Sequence, residues 1–276
     1  MTADYVLIGH ITADLTPTGR VAGGTVSYAA RTAAAFGWRV AIVTSCRPDE
    51  PLLESLRPYA DIHVIPAEET TTFENIYTSH GRVQYIRARA ETLVAENIPE
   101  ALRGASMVHL GPIADEIRSG VAGIFHDSTL LATLQGWMRQ WGADQVVRFK
   151  AFDHENLLKR VDIVVFSEED IASAPETEEW VRARARHTFV TRAEKGGSYY
   201  HDGIHDSYTS PAVTVVEPTG AGDVFAASLL ASLPLLSFEI PKAIRVAARL
   251  AANSVTRPGL QGTPTADEVR QVLDSI

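Results

Sequence analysis

Short apolar runs alternate with helical patterns along most of the chain. The runs predict core strands at residues 5–9, 40–44, 62–65, 107–110, 129–134, 163–166 and 188–191. Apolar positions at helical spacing predict helices at residues 26–36, 52–59, 113–125, 154–160, 176–186, 221–233, 241–256 and 266–273. This alternation is typical of βαβ units on a mainly parallel sheet, so we predict an α/β fold.

Two segments break this alternation. Residues 70–77 and 82–87 flank Ser79-His80-Gly81 as two strands flank a hairpin turn, and their alternation puts Phe73 on a face with other large residues. Residues 12–21 are a candidate for a further strand pair beside them. The hairpin is either a β-flap that covers a site or a plain edge hairpin, and the sequence leaves both interpretations open.

The polar turn Glu217-Pro218-Thr219-Gly220-Ala221-Gly222-Asp223 runs directly into an apolar helical stretch. The backbone N–H groups of Gly220, Ala221 and Gly222 open this helix, lack intrahelical partners and lie at the positive end of its dipole. Such a turn is a candidate anion cradle. The carboxylate of Asp223 would repel a phosphate that merely binds there. Its presence makes sense if it deprotonates an attacking hydroxyl while the N–H groups stabilise a phosphoryl group.

Other interpretations of this turn explain less. A plain helix N-terminus capped by Thr219 accounts for Asp223 but not for the glycines on both sides of Ala221. A dinucleotide fingerprint would need its third glycine or alanine at Phe225, and would follow a first strand. The chain contains no G-x-x-x-x-G-K-[ST] run, so a Walker-type phosphate loop is excluded.

Composition sets broad limits. The chain has 276 residues, of which 45% are hydrophobic and 21% charged, so we expect one domain over residues 1–276. The net charge of -9 argues against a nucleic-acid partner. The single cysteine, Cys46, excludes an internal disulfide and a cysteine-built zinc site, and the scattered histidines predict no protein-built metal site. Without a signal pattern or a membrane-spanning stretch, a cytoplasmic protein with no membrane partner is expected.

Two motifs resemble signatures of the ribokinase/PfkB family of small-molecule kinases. Gly23-Gly24-Thr25-Val26-Ser27-Tyr28 resembles its glycine–glycine substrate loop, and residues 217–223 resemble its D-T-x-G-A-G-D motif. Their order and spacing extend the resemblance over essentially the whole chain. It implies a three-layer α/β sandwich with helices on both faces of the sheet and a small β-lid from about 12–22 and 70–90. ATP, Mg²⁺ and a small polyol are the implied ligands.

The resemblance also implies roles for individual residues. Asp223 becomes the catalytic base, and Gly220, Ala221 and Gly222 become the anion hole. Asp14, Gly23, Gly24 and Tyr28 are expected to bind the acceptor. For Asp14 an ordinary turn residue after a strand is the alternative.

The nucleotide side is implied by weaker matches. Residues 191–196 resemble the family's T-x-G-x-x-G segment, with Ala193 where glycine is usual. The residues expected to contact ATP are Ser167, Thr191, Ala193, Gly196, Thr219 and Asn253. An exposed or capping amide is the alternative for Asn253.

The chain departs from the family pattern at several positions. Glu217 replaces the usual aspartate, where it would either help to hold a monovalent cation such as K⁺ or order the turn. Ser167-Glu168-Glu169-Asp170 stands where many members have N-x-x-E, a motif tied to Mg²⁺ and phosphate, so Asp170 is the metal candidate and the asparagine is missing. Tyr28 replaces a common asparagine, and this difference argues against ribose and fructose as the acceptor.

A narrower likeness concerns the plant-type myo-inositol kinase branch. Gln135 and Arg139 fall in a segment similar to its D-x-Q-x-x-x-R pattern, with Thr133 in place of the aspartate. The resemblance therefore assigns both side chains to the acceptor. The resulting hypothesis is ATP-dependent phosphorylation of a hydroxyl on a sugar or cyclitol. A nucleoside kinase and a non-catalytic binding protein are the alternatives, and a monomer and a homodimer through the lid both stay open.

Overall fold

A mainly parallel sheet lies at the centre of the protein. The computed structural model describes residues 3–78 and 81–276, so Ser79 and His80 of the predicted hairpin turn lie outside the described residues. Over the described residues the strands are β1 (Tyr5–Ile8), β2 (Thr12–Thr16), β3 (Gly19–Gly23), β4 (Val40–Cys46), β5 (Asp61–Pro66), β6 (Thr72–Thr78), β7 (Gly81–Ala88), β8 (Met107–Leu110), β9 (Thr129–Thr133), β10 (Arg139–Gln140), β11 (Arg148–Phe149), β12 (Ile163–Ser167), β13 (His187–Thr191), β14 (Gly197–His201) and β15 (Ile204–Tyr208).

Nine of these strands form the central sheet in the order β15-β14-β13-β12-β9-β8-β1-β4-β5. All pairs from β13 to β5 are parallel, whereas β13, β14 and β15 pair antiparallel at one edge. The predicted α/β fold with a mainly parallel sheet is confirmed. The β14–β15 hairpin is not among the predicted strands, although its turn Asp202-Gly203 has left-handed backbone at both residues (φ 47° and 77°), the geometry an Asp-Gly hairpin favours.

Helices pack on both faces of the sheet, and the helices on one face are longer than those on the other. The α-helices of the described residues are α1 (Thr25–Ala35), α2 (Glu155–Leu158), α3 (Glu176–Arg182), α4 (Ala221–Ser232), α5 (Ile240–Ser254) and α6 (Ala266–Asp274). In β1, Leu7 packs in a core with α1, α4 and α5. Ile8 packs on the opposite face, in a core that includes Trp137 and residues of α2 and α3. Alternate side chains of one strand therefore enter two separate cores.

Two helix predictions are wrong. Residues 52–59 form only a 3₁₀ turn at Pro51–Ser55, and residues 113–125 form only a 3₁₀ turn at Ser119–Ile124. In the second segment, the buried carboxylate of Glu116 accepts hydrogen bonds from the N–H groups of Ile113 and Ala114 and from that of His10. A side chain that binds nearby backbone donors competes with helix formation, so apolar spacing was misleading here.

The segments that broke the alternation form a second sheet. Its order is β3-β2-β6-β7, and it shares no strand with the central sheet, so the hairpin is not a plain edge of that sheet. Phe73 and Ile86 of this small sheet pack with Ile113 and Ala114 of the main body. The small sheet is therefore fastened to the body through an apolar contact.

No helix among residues 3–78 and 81–276 is both long enough and apolar enough to span a lipid bilayer.

Candidate active site

The two glycine turns meet at the N-termini of α1 and α4. Gly220 is the N-cap of α4 and has left-handed backbone, with φ 83°. A Cβ atom on Gly220 would lie 2.2 Å from Cε1 of Tyr28. Tyr28 is buried on α1, four residues after Gly24, the N-cap of that helix. Only glycine at residue 220 lets the tyrosine ring pack directly against the turn.

Asp223 lies in the first turn of α4 and keeps part of its surface exposed. Burial raises the pKa of its carboxyl group to about 6, and the charge of Asp170 acts in the same direction. A hydrogen bond donated by the Thr25 hydroxyl and the charge of Arg139 both lower this pKa, without cancelling the effect of burial. The carboxyl group thus faces the diglycine turn, because Thr25 directly follows Gly24.

The amides of the turn are not all equivalent. The Ala221 N–H donates to Pro218 O at 3.3 Å, a long bond, and the Val224 N–H closes onto Gly220 O at 2.9 Å. Thr219 is exposed, and α4 has no side-chain cap. The interpretation of this turn as a helix start capped by Thr219 is therefore wrong.

Asp14 lies on the small sheet, opposite the glycine loop. It is a half-buried residue of β2, which excludes the alternative of a turn residue. A Cβ atom on Gly23 would lie 2.3 Å from Oδ2 of Asp14, and the Thr12 hydroxyl donates to Oδ1 at 3.2 Å. Burial raises the pKa of Tyr28, and the charges of Asp223 and Asp14 raise it further, so both carboxylates lie near that ring.

Arg139 connects the small sheet with Asp223. Its Nη1 donates to Ile113 O at 3.1 Å, and its guanidinium lies 5.7 Å from the centre of the Phe73 ring. Its charge also reaches Asp223. The side chain therefore lies between the lid and the first turn of α4, on the side where the resemblance expects the acceptor.

Gln135 has a different partner. Its Nε2 donates to Oδ1 of Asp170 at 2.9 Å, and the Ser167 N–H donates to Oδ2 of the same carboxylate at 2.9 Å. The charge of Asp170 acts on Asp223. The structure thus brings Gln135, Ser167 and Asp170 together, within electrostatic reach of Asp223.

The segment after β13 keeps its expected backbone. Ala193 has φ 49°, the left-handed conformation that explains why glycine is usual there, and Gly196 has φ 87°. Arg192 is held by Glu168 at 3.2 Å and by Glu178 at 2.7 Å. Thr191 ends β13 beside Ser167 of β12, with which it is in register.

Glu217 orders the loop before α4. Its Oε2 accepts a hydrogen bond from the Gly259 N–H at 2.9 Å, and its own N–H donates to Val255 O at 3.1 Å. Asn253 lies half-buried on α5, two residues before Val255. These bonds tie the turn to the end of α5 and bring Asn253 to the same side of the site.

Over residues 3–78 and 81–276, no group of three or more His, Cys, Asp or Glu side chains could hold a metal ion. A hard divalent ion at this site would therefore need oxygen ligands from a bound phosphate and from water in addition to a protein carboxylate. Asp170 suits that use because it is half-buried, and each of its oxygens keeps a lone pair beyond the hydrogen bond it accepts.

Sequence reasoning missed Thr25 as a partner of Asp223 and Gly259 as a partner of Glu217. The position of Thr25 directly after the diglycine was the one available signal. Gly259 is 42 residues from Glu217 and carried none.

Comparisons with known proteins bear on the family and the fold. The family described as pfkB family carbohydrate kinase matches residues 137–266, which include Asp170 and Asp223. The cytidine kinase of Thermococcus kodakarensis is 28% identical over 256 residues, which cover 83% of this chain and 87% of that protein.

Solved structures share the fold over nearly the whole chain. A variant of a pyrophosphate-dependent myo-inositol-1 kinase has a TM-score of 0.82 at 18% identity, over 98% of this chain and 99% of that one. Arabidopsis thaliana ribokinase, complexed with ribose and ATP, has a TM-score of 0.74 at 19% identity, over 99% of each chain. Identities this low establish the fold alone.

Proposed function

We propose that the chain is a kinase of the pfkB family, whose model matches residues 137–266, and that it transfers the terminal phosphoryl group of ATP to a hydroxyl of a small sugar or cyclitol. One observation carries the proposal. The Asp223 carboxyl group lies in the first turn of α4, next to the Gly220 turn, and faces Thr25 at the end of the diglycine loop. A base and a set of helix N-terminal amides then act on the same small volume.

The base has a suitable pKa. A carboxyl group with a pKa of about 6 is mostly ionised at neutral pH, yet it is a stronger base than an ordinary aspartate. Asp223 takes the proton of the acceptor hydroxyl as that oxygen attacks the phosphorus in line. First-turn N–H groups of α4 stabilise charge on the transferring phosphoryl group.

Asp14 and Arg139 form the acceptor side. A carboxylate accepts hydrogen bonds from two neighbouring hydroxyl groups of a polyol, and Gly23 leaves room for the substrate and for Asp14. Arg139 lies between Phe73 and Asp223 and can donate to a further hydroxyl. The lid sheet carries Asp14 and Phe73, so it shields the attacking hydroxyl from water.

The donor side comprises Asp170, Ser167, residues 191–196, Thr219 and Asn253. Asp170 would hold Mg²⁺ together with the donor phosphates. The bound ion would neutralise part of the charge of those phosphates. The hydrogen bond between Glu217 and Gly259 supports the ordering role for Glu217 over the cation role.

A nucleoside kinase is the second candidate. The observation in its favour is the 28% identity to a cytidine kinase over most of both chains. Cytidine carries a ribose with several hydroxyls, so Asp14 and Asp223 could serve the same roles on such an acceptor.

The experiment combines a substrate screen with a matched pair of variants. ADP or phosphate release is measured for ribose, fructose, inositols and cytidine, with ATP and pyrophosphate as donors and with K⁺ and Na⁺ compared. In Asp223→Asn the turnover should fall about 10²- to 10⁴-fold, because the base is lost. Asp267→Asn removes an exposed first-turn acid of α6 and should keep full turnover. Near wild-type turnover in Asp223→Asn would exclude the base assignment. If the protein turns over none of these acceptors, a non-catalytic binding protein is favoured.

A further inference from the structure

Gln135 and Ser167 leave the central sheet side by side. β9 and β12 are parallel neighbours with Thr133 in register with Val165, and the Leu134 N–H donates to Val165 O at 3.0 Å. Because parallel strands end at the same edge, the residues that follow both strands meet there. The motif of residues 167–170 therefore has a neighbour that is 32 residues earlier in the chain than Ser167.

Asp170 is held from both sides. Its Oδ2 accepts the Ser167 N–H at 2.9 Å, while the Ser167 hydroxyl accepts the Asp170 N–H at 3.1 Å. Its Oδ1 accepts Nε2 of Gln135 at 2.9 Å. The first two bonds fix the turn, and the third fixes the rotation of the carboxylate plane.

The amide that the family motif places at residue 167 is absent, since Ser167 stands there. We infer that Gln135 supplies this missing amide from the neighbouring strand and is a positioning residue for Asp170, and so for Mg²⁺ with the donor phosphates, instead of an acceptor ligand. The inference rests on the proposed function. It moves Gln135 from the acceptor residues to the donor residues, and it explains how the chain dispenses with the asparagine.

The surroundings of Gln135 support a fixed side chain. Trp137, two residues later, is fully buried and donates its Nε1–H to Ile117 O at 2.9 Å. The flanking Leu134, Gly136 and Met138 are buried as well, so the backbone of this turn is anchored. A neutral amide orients the carboxylate without neutralising it, whereas lysine or arginine would compete with a cation for its charge.

Mg²⁺-dependent donor binding tests the inference without any acceptor. Calorimetry gives the Kd of ATP with excess Mg²⁺ and with EDTA, and their ratio is the Mg²⁺ enhancement. We expect Gln135→Ala and Asp170→Asn each to lower this enhancement by about 10- to 100-fold, the usual cost of losing a partner that orients a metal ligand. The affinity for ATP in the presence of EDTA should stay unchanged. The double variant should be no worse than Asp170→Asn, because both changes remove one interaction.

Two further variants separate positioning from packing. Gln135→Glu keeps the size but removes the donor and should lose at least as much enhancement as Gln135→Ala. Gln140→Ala removes an exposed amide whose Nε2 donates to Phe149 O at 2.9 Å, and should behave as wild type. Wild-type enhancement in Gln135→Ala with a raised KM for the acceptor overturns the inference and leaves the kinase proposal intact.

Other results are equally decisive. A lost enhancement in a protein that phosphorylates no acceptor supports the inference and refutes the kinase proposal. If the wild type prefers Mg-pyrophosphate to Mg-ATP, the same ratios are measured with pyrophosphate. A wild type that shows Mg²⁺ enhancement with neither donor overturns both the inference and the donor assignment.

Discussion

Asp223 combines two properties that conflict in an ordinary helix N-terminus. An acid in the first turn is normally stabilised by the helix dipole, which lowers its pKa. Here burial dominates and raises the pKa to about 6, while Thr25 and Arg139 only moderate the effect. The residue therefore gains basicity at the expense of the stability of its charged form.

The pH dependence of catalysis follows from that pKa. Asp223 must be ionised to accept a proton, so kcat/KM should fall as the pH drops below about 6, tenfold per pH unit well below it. The measurement is a pH profile of kcat/KM with saturating donor. A profile that stays flat down to pH 5 would contradict the assignment of Asp223 as the base.

The same shift affects stability. Because the folded-state pKa lies above the unfolded value of 3.8, the contribution of Asp223 to stability is fully present below pH 3.8 and is lost as the pH rises through about 6. Asp223→Asn should therefore raise the free energy of unfolding at pH 8 by roughly 3 kcal/mol. Urea unfolding of both proteins at pH 5 and pH 8 measures this, and an equal difference at both values would contradict it.

The small sheet β3-β2-β6-β7, called the lid here, is held by a segment that is short and irregular. Residues 145–147 lie between β10 and β11 and pair with β7, since the Val147 N–H donates to Gln84 O at 2.9 Å and the Ile86 N–H donates to Gln145 O at 2.9 Å. The side chain of Val147 also packs against the cluster of Phe73 and Ile86. The lid sheet thus gains a further paired edge from the segment that follows Arg139.

Loss of this pairing should loosen the lid. Val147→Pro removes the N–H donor, so exchange of the Ile86 amide should become about tenfold faster while that of Leu7 in β1 stays unchanged. Acceptor affinity should fall and Mg-ATP affinity should not. Val147→Ala keeps the N–H and loses only side-chain contact, so it isolates the hydrogen bond. Equal exchange rates in the proline variant and wild type would show that the pairing does not restrain the lid.

At the scale of the whole molecule, the sheet separates two cores. Leu7 packs with α1, α4 and α5, of which α1 and α4 begin at the glycine turns of the candidate site. Ile8 packs with Trp137 and the short helical turns of the other face. The first core places the N-termini of α1 and α4 together, and the second anchors the turn that carries Gln135.

Truncation of a side chain on either face of β1 should therefore lower the free energy of unfolding by a similar amount. Leu7→Ala and Ile8→Ala should each lower the free energy of unfolding by about 2–5 kcal/mol, because both side chains are fully buried. Ile204→Ala, at the 52% exposed Ile204 of the edge strand β15, should change it by less than about 0.5 kcal/mol. Urea unfolding measures all three. A near-neutral effect at Leu7 or Ile8 would show that its face is not a packed core.

The sequence by itself determined the parts of this protein that rest on local patterns. Continuous apolar runs indicated the parallel strands because such strands are buried on both faces. The glycines of residues 220 and 222 beside Asp223 indicated the turn that opens α4, because backbone freedom and a helix start are local properties. The diglycine of residues 23 and 24 indicated close approach for the same reason.

Only the tertiary structure decided the contacts between distant segments. Apolar spacing predicted a helix at residues 113–125, but Glu116 binds backbone donors there, including that of His10, 106 residues away. The bond of Gln135 to Asp170, the bond of Thr25 to Asp223 and the pairing of residues 145–147 with the lid join residues far apart in sequence. No local pattern encodes such partners, because each contact exists only once the strand order brings the two segments to the same edge of the sheet.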